Sequence, residues 1–483
     1  MTSHKESNHD LPNIRGRARS GPKHSLGFRI SHRARKAVAI SACAAIAFVA
    51  AFVAAAAIEI LGSVNVVPSV HQLKAGAKTP KPEDIYKGKT LNVLVLGQDT
   101  RSGAGNAAIG GDDPEDAENH QSDTAIVAQI AADRSYINLV PIPRDSMVNA
   151  PACTTSSGKT IPARHYVMFN SIFATGYQQG GDVASAASCA LTAVNTLTGL
   201  DVQQFVVADF NGLKDVIDAL GGVNICVPQD TWDGYTGVDI KRGLQHLDGT
   251  QATQYARMRH GTGTDGSDIM RTTRQQYLIK SLMNEAKSSD VYSNFGKMFQ
   301  LSKTSLSALQ FSQGLGNVMT LYGLADSMQH IDASHVYSRT LPVEPDPDYP
   351  QARVRWSSDA KTVWAALRAE KPLTDAELNQ VRQQNLDAAG KQAPSQREQG
   401  QRPQAQTQTQ GAQGTSPSAS ANQQETPDPK TGLITRGGQL IDPVTGGIVD
   451  SEDGTIRDAG SGQYIGIADR YLSATVCAVP AQK

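Results

Sequence analysis

SDTAIVAQIAADRSYINLVPIPRD, residues 122–145, contains two nearly continuous apolar runs, Thr124 to Ile130 and Ile137 to Pro141, with only Ala131 to Tyr136 between them. Unbroken apolar runs of this length read as strands covered on both faces. A connection so short forces the two strands antiparallel, because a parallel pair needs a crossover of a dozen or more residues. Asp123, at the start of one strand, and Arg144, past the end of the other, are therefore expected at one edge of a sheet. LNVLVLG, residues 91–97, is a third strand of the same kind and runs out through Gln98-Asp99-Thr100-Arg101. If it lies parallel to Ile137–Pro141, Asp99 and Arg101 join that edge. Farther along, Asp182 reads as the cap of a helix reaching Leu197. Gly212 to Leu220 reads as a helix stopped by Gly221-Gly222 and leading into the strand Val223–Val227. The fold class is α/β with a mixed central sheet, over residues 86–373.

The 483 residues also hold material that cannot join a core. Residues 1–36 carry nine Lys or Arg against Glu6 and Asp10 and have no apolar periodicity, as expected of a basic cytoplasmic tail. Ala37 to Ile58 is an uncharged run of 22 residues, enough to cross a hydrocarbon core of about 30 Å. A cleavable signal peptide usually has an apolar region of only about 7 to 15 residues, so a transmembrane anchor is the expectation. The basic flank places the N-terminus in the cytoplasm, residues 63–85 as a stalk, and the rest of the chain outside the cell membrane. Residues 388–430 are rich in Gln, Pro, Ser and Ala and read as a disordered linker. After it, DPVTGG, DSEDGT and DAGSGQ space turns regularly through residues 431–483, a small β-rich tail. A net charge of −1 excludes nucleic-acid binding by bulk attraction. Outside the apolar run lie Cys153, Cys189, Cys226 and Cys477. Four cysteines in an oxidising compartment permit two disulfides with three connectivities, and Cys153 with Cys189 is preferred because it closes a local loop.

The chemistry lies in arginines and aspartates. Leu247-Asp248-Gly249-Thr250-Gln251 opens a helix with a capping-box pattern, and that helix delivers Arg257 and Arg259 near its end. The next helix starts near Ser267. At 100° per residue, Asp268, Arg271 and Gln275 fall on one arc of about 60°, which Leu278 and Leu282 continue. Its face is thus ionic in the first turns and apolar later. Burying such groups is costly unless they are paired or meet a ligand. An Asp268–Arg271 ion pair satisfies part of the cost, but Arg274 and the upstream arginines leave positive charge in surplus, which implies an anion. Pro143-Arg144-Asp145 adds to the same edge. Asp99 and Asp123, with phosphate oxygens and water, suit a hard cation such as Mg²⁺, and arginine forks suit phosphate. Asp112 to Glu118 lacks the spacing of a metal loop, and His260 stands alone, without a histidine cluster. No Gly-x-Ser-x-Gly elbow is present.

LGQDTR, SDT, IPRDSMV, FNSIF followed by Gly180-Gly181, DFNGLKDVIDALGGV, LDGTQATQYARMRH and DIMRTTRQQ occur in this order over residues 91–276. In this ordered set the chain resembles the LytR-CpsA-Psr family of cell-wall glycopolymer ligases. The resemblance implies an α-β-α sandwich behind one N-terminal span, a hydrophobic channel for a polyprenyl chain, and Mg²⁺-dependent transfer of a phosphoglycan from polyprenyl pyrophosphate to a peptidoglycan acceptor. It gives Asp99 and Asp123 to Mg²⁺. It gives Arg101, Arg144, Arg257, Arg259, Arg271, Arg274 and Gln275 to the pyrophosphate head and its support, with Asp268 orienting the arginines. Many members have Arg two residues before the Asp of the SDT block, whereas this chain has Gln121. The competing expectations are a membrane-anchored regulator that binds the polyprenyl phosphate without catalysis, and an anchored wall scaffold working through its tail.

Overall fold

The structure, a computed structural model, describes residues 82–102, 104–110, 120–392 and 426–478. The basic tail, the apolar run 37–58 and linker residues 393–425 lie outside the described residues. Among those described, no helix is long and apolar enough to cross a membrane.

The strands expected from sequence form the middle of a six-stranded sheet. They are β1 (Leu91–Asp99), β2 (Gln121–Ile130) and β3 (Ile137–Pro141), joined by β4 (Gln204–Ala208) and by two short edge strands at Gln310–Phe311 and Val336–Ser338. β1 is antiparallel to β2 and β2 to β3, so β1 and β3 run the same way. β1 is parallel to β4, and the sheet is mixed. Side chains alternate between the two faces of a strand. Leu94, Leu96, Val127 and Val140 accordingly enter one core, and Leu91, Val93, Ile126 and Ile130 enter another.

The first core is closed by α2 (Asn170–Gly180), α3 (Val183–Thr198), α9 (Ala360–Arg368) and α10 (Asp375–Gln392), following the short α1 (Ala104–Gly110) in chain order. The Asp182 side chain caps α3 by accepting from Ser185 N, as its position predicted. The second core is closed by α6 (Asp268–Ser288) and α8 (Val318–Met328), with α7 (Phe295–Ala308) between them in sequence. Between α3 and α6 come α4 (Phe210–Leu220) and α5 (Gly249–Arg257). Helices on both faces of a mixed sheet make the α-β-α sandwich.

Three boundaries differ from expectation. Asp84, placed in the stalk, is buried in an ion pair with Arg134 at 2.8 Å. The helical part does not end at 373, because α10 runs to Gln392 and sends Leu378 and Val381 into the first core. The tail is no separate module. Its five-stranded meander packs Leu433, Val449, Ile456, Ile465 and Leu472 against Ile225, Tyr255, Met258, Tyr277 and Leu278 in one apolar cluster. Polar ties reinforce the contact, including Gln463 Nε2 to Leu341 O at 3.0 Å and Asp375 N to Val444 O at 2.7 Å. The tail's hairpin loops repeat one device. The N–H of Gly446, Gly454 or Gly462, each at φ near +70°, donates to the carbonyl of the Asp four residues earlier.

Cys153 pairs with Cys189, and Cys226 on the strand β5 (Val223–Val227) pairs with Cys477 at the end of the tail. The second bond spans 251 residues and so restricts the unfolded chain strongly. Cys226→Ser with Cys477→Ser is expected to lower the unfolding free energy by about 2–4 kcal/mol, read as an earlier denaturant midpoint. An unchanged midpoint would mean that apolar contacts alone hold the tail.

Candidate active site

The short β2–β3 connection puts Asp123 and Arg144 at one sheet edge, as expected, and the parallel course of β1 and β3 adds Asp99 to it. Register refines this. Gly97 pairs with Thr124 and Gln98 with Ser122, so Asp123 is the extra residue of a β-bulge. Bulges re-aim a side chain where plain alternation would fix it. Gly97 permits the close approach of the strands, since a Cβ there would sit 2.9 Å from Thr124 Cβ.

α5 begins with the full capping box, Gln251 N donating to Asp248 Oδ1 at 2.8 Å and Asp248 N donating to Gln251 Oε1 at 3.2 Å. The helix ends at Arg257. Met258 then turns extended, with φ −55° and ψ 129°, and this change of direction lets Arg257 and Arg259 face one space. α6 starts at Ser267, whose side chain accepts from Met270 N, and carries Asp268 in its first turn.

These parts assemble a closed ring of alternating charge. Arg144 bonds Asp123 and lies 3.6 Å from Asp268. Asp268 bonds Arg271, and Arg271 returns to Asp123 at 3.2 Å and to its backbone carbonyl at 2.7 Å. Burial alone would raise the Asp123 carboxyl, but Arg271 and Arg144 overcome it and hold the group below the usual carboxylate range. Asp145, 3.5 Å from Arg144, is shifted upward, by burial first and by Asp268 among its neighbours. The ring neutralises itself. Arg257 and Arg259 lie outside it. The Arg257 guanidinium lies 4.0 Å above the Phe210 ring and donates to Ile109 O at 2.6 Å. Arg259 has its Nε buried without a hydrogen-bond partner.

Arg101, Arg144, Arg257, Arg259 and Arg271 line a cavity of about 380 Å³ together with Asp99, Asp123 and Asp209. Five guanidiniums against three carboxylates leave the lining positive. At its other end the cavity is apolar, walled by Val95, Ile126, Leu213, Leu278, Ile279 and Leu282. Thus the arc read from α6 is real in both halves. Gln275 lines the cavity and ties two elements, accepting from Thr124 Oγ1 at 3.1 Å and donating to Ala256 O at 3.2 Å.

Arg274 departs from the expected phosphate set. It is buried away from the cavity and donates to Met258 O, bracing the joint that aims Arg257 and Arg259. One turn position separates it from the arc, and on a helix that points it elsewhere. Gln121 sits opposite Asp99 in register and accepts from Asn170 Nδ2 at 2.8 Å, outside the cavity lining. Sequence reasoning missed Phe210 and Tyr235 and gave His260 no role, yet all three line the cavity. No spacing rule marks them, since each comes from a different element.

Among the described residues no cluster of three or more His, Cys, Asp or Glu side chains forms a ready metal cage. Asp99 and Asp123 nonetheless offer two carboxylates to one cavity. The Asp99 carboxyl is shifted upward, first by burial and then by the Asp123 charge. Both arginine contacts to the Asp123 carboxylate go to Oδ2. A pair of carboxylates that repel across a shared space fits a hard cation such as Mg²⁺, which needs only one or two protein carboxylates and takes its other oxygens from elsewhere.

A model described as the LytR_cpsA_psr family matches residues 63–371. The cell wall biosynthesis protein LcpA of Corynebacterium glutamicum is 25% identical over 298 residues, 59% of this chain and 55% of that protein. The polyisoprenyl-teichoic acid–peptidoglycan teichoic acid transferase TagV of Bacillus subtilis is 29% identical over 189 residues, 38% of this chain and 42% of that protein. The chain thus spans about half the length of the curated relatives it matches. A crystal structure of Bacillus subtilis TagV aligns with 62% of this chain and 97% of its own at 19% identity, with a TM-score of 0.41.

Proposed function

Because the chain belongs to the LytR-CpsA-Psr family, we propose that it transfers a phosphoglycan from a polyprenyl-pyrophosphate carrier to peptidoglycan on the outer side of the membrane, anchored through residues 37–58. The observation that carries this reading is the single cavity with surplus arginine at one end and aliphatic walls at the other. A lipid pyrophosphate has that same division, two phosphates joined to a hydrocarbon chain. The names of LcpA and TagV, which speak of cell wall biosynthesis and of teichoic acid transfer to peptidoglycan, support it.

In this reading the prenyl chain enters past Leu278 and Leu282, and Arg101, Arg257 and Arg259 grip the phosphates. Arg144 and Arg271 add their charge from the ring, while Asp123 and Asp268 fix where those two guanidiniums point. An acceptor hydroxyl attacks the sugar-side phosphorus. One P–O bond forms to the acceptor and the P–O bond to polyprenyl phosphate breaks. Preorganised positive charge lowers the barrier because phosphoryl transfer asks mainly for positioning and charge neutralisation. In this reading Asp99, which lines the cavity beside Arg101 and Arg257, takes the hydroxyl proton. Asp99 and Asp123 would hold Mg²⁺, which would supply positive charge to offset that of the phosphates. Arg274, Gln275 and Asp145 act as positioning residues.

The test uses the full chain in lipid vesicles with a polyprenyl-pyrophosphate-linked phosphoglycan and peptidoglycan, with and without Mg²⁺. Release of polyprenyl phosphate with glycan appearing on peptidoglycan is the expected result, larger with Mg²⁺. Tight lipid binding with no product in either condition would instead establish a carrier-binding regulator.

A further inference from the structure

Beside the cavity mouth, the hairpin of β6 (Thr231–Asp233) and β7 (Val238–Ile240) carries Trp232 and Tyr235 at 60% and 81% exposure. Rings left this open forgo the burial that normally stabilises them. The hairpin is also fastened in place. Asp233, fully buried, accepts from Tyr235 N at 2.8 Å and from His260 N at 3.2 Å. Thr262 N donates to Trp232 O at 3.1 Å. Gly261, at φ +91°, passes so close that a Cβ would sit 1.9 Å from that carbonyl oxygen, so only glycine allows this contact. The exposed rings are thereby fixed to the segment that delivers Arg259. The Tyr235 and His260 rings lie 4.5 Å apart and line the reaction cavity, and an open hollow of about 210 Å³ bounded by Trp232, Tyr235 and His260 adjoins it.

Resting on the transfer reaction above, we propose that Trp232 and Tyr235 form a platform that receives pyranose rings of the acceptor glycan strand and feeds its hydroxyl to the phosphates. An aromatic face carries negative charge density that attracts the slightly positive C–H groups on a sugar ring's face, while the sugar's hydroxyls stay hydrated. Asp239 stands opposite Trp232 in the hairpin register, so both side chains share one face, and a carboxylate beside the ring can accept from those hydroxyls. Lys241, exposed and 3.3 Å from Asp230, offers donors nearby. The acceptor is the partner with need of such a surface. The donor is already gripped by its phosphates and its lipid, whereas a glycan strand has neither and, as part of an extended polymer, reaches only an open face.

The experiment titrates the full chain in detergent with (GlcNAc)4, following tryptophan fluorescence, and measures transfer to soluble peptidoglycan strands. Trp356 and Trp364 are the other two tryptophans, so Trp232→Ala isolates the signal. A fluorescence change that Trp232→Ala abolishes is expected. That variant is also expected to raise KM for the acceptor about threefold to tenfold, with kcat at saturating acceptor unchanged and Trp232→Phe restoring most of the loss. No fluorescence change together with an unaltered acceptor KM overturns the platform. So does a change of oligomeric state in Trp232→Ala, which would make the rings a contact between copies of the chain. A wild type that binds the tetrasaccharide yet transfers nothing leaves the platform standing and removes the transferase reading instead.

Discussion

Arg259→Ala is expected to slow transfer by about 10²–10³-fold, the usual cost of removing one preorganised donor from a transition-state charge, without loss of thermal stability. Arg259 differs from its neighbours in what it contacts. Burial opposes its charged form, and the Arg144 and Arg271 guanidiniums beside it push in the same direction. Its Nε has no hydrogen-bond partner. Removing it therefore strands no carboxylate and relieves repulsion. Arg271→Ala makes an uninformative counterpart, because it would leave Asp123 and Asp268 with Arg144 as their one remaining ring partner, and breaking a buried pair costs about 3–5 kcal/mol. The pair of measurements is transfer rate and thermal midpoint on the same Arg259→Ala sample. Full activity would show that the surplus charge serves no substrate, and a large drop in midpoint would show that Arg259 is structural.

Asp99→Asn should abolish most activity, by about 10² or more if the carboxylate serves the transition state, while making the protein more stable at neutral pH. The sign follows from the direction of the shift. The folded-state carboxyl titrates above its unfolded value, because burial and Asp123 disfavour its charge. The folded chain therefore holds the proton more tightly, and stability falls as pH rises from the ordinary Asp value through the raised one. Above both values the full penalty is present, and asparagine removes it. The gain should fade once the pH drops below the ordinary Asp value, where wild type is protonated in both states. Mg²⁺ supplies a second readout, since a ion bound only by the folded state raises its thermal midpoint. Wild type should show that rise and Asp99→Asn should lose it. A variant that keeps full activity and its Mg²⁺ response would exclude Asp99 from both roles.

Much of the site was legible along the chain because its parts obey short-range rules. Two apolar runs with a short gap required an antiparallel pair, and that alone put Asp123 and Arg144 at one edge. Asp248 with Gln251, Asp182 and Ser267 announced three helix starts because a cap bonds backbone two or three residues away. The 100° step placed Arg271, Gln275, Leu278 and Leu282 on one wall of the cavity. Cys153 and Cys189, close in sequence, pair as local closure suggested.

Other features needed the packed molecule. Arg271 meets Asp123 across a sequence separation of 148, and no periodicity says which guanidinium closes the ring on which carboxylate. The bulge at Asp123 depends on a register that β1 and β2 settle together. Arg274 has the same residue type as Arg271 three positions on, but faces the Met258 carbonyl rather than the cavity. The tail's turn signals predicted its hairpins and were silent on where it docks, because five short strands cannot enclose their own apolar side chains and the surface that covers them lies hundreds of residues earlier. Local hydrogen bonding and strand or helix period were thus determined by the sequence alone. Which charges pair, which arginine stays free for an anion, and what the tail covers were decided by tertiary packing, since burial imposes those choices only once distant segments share the same space.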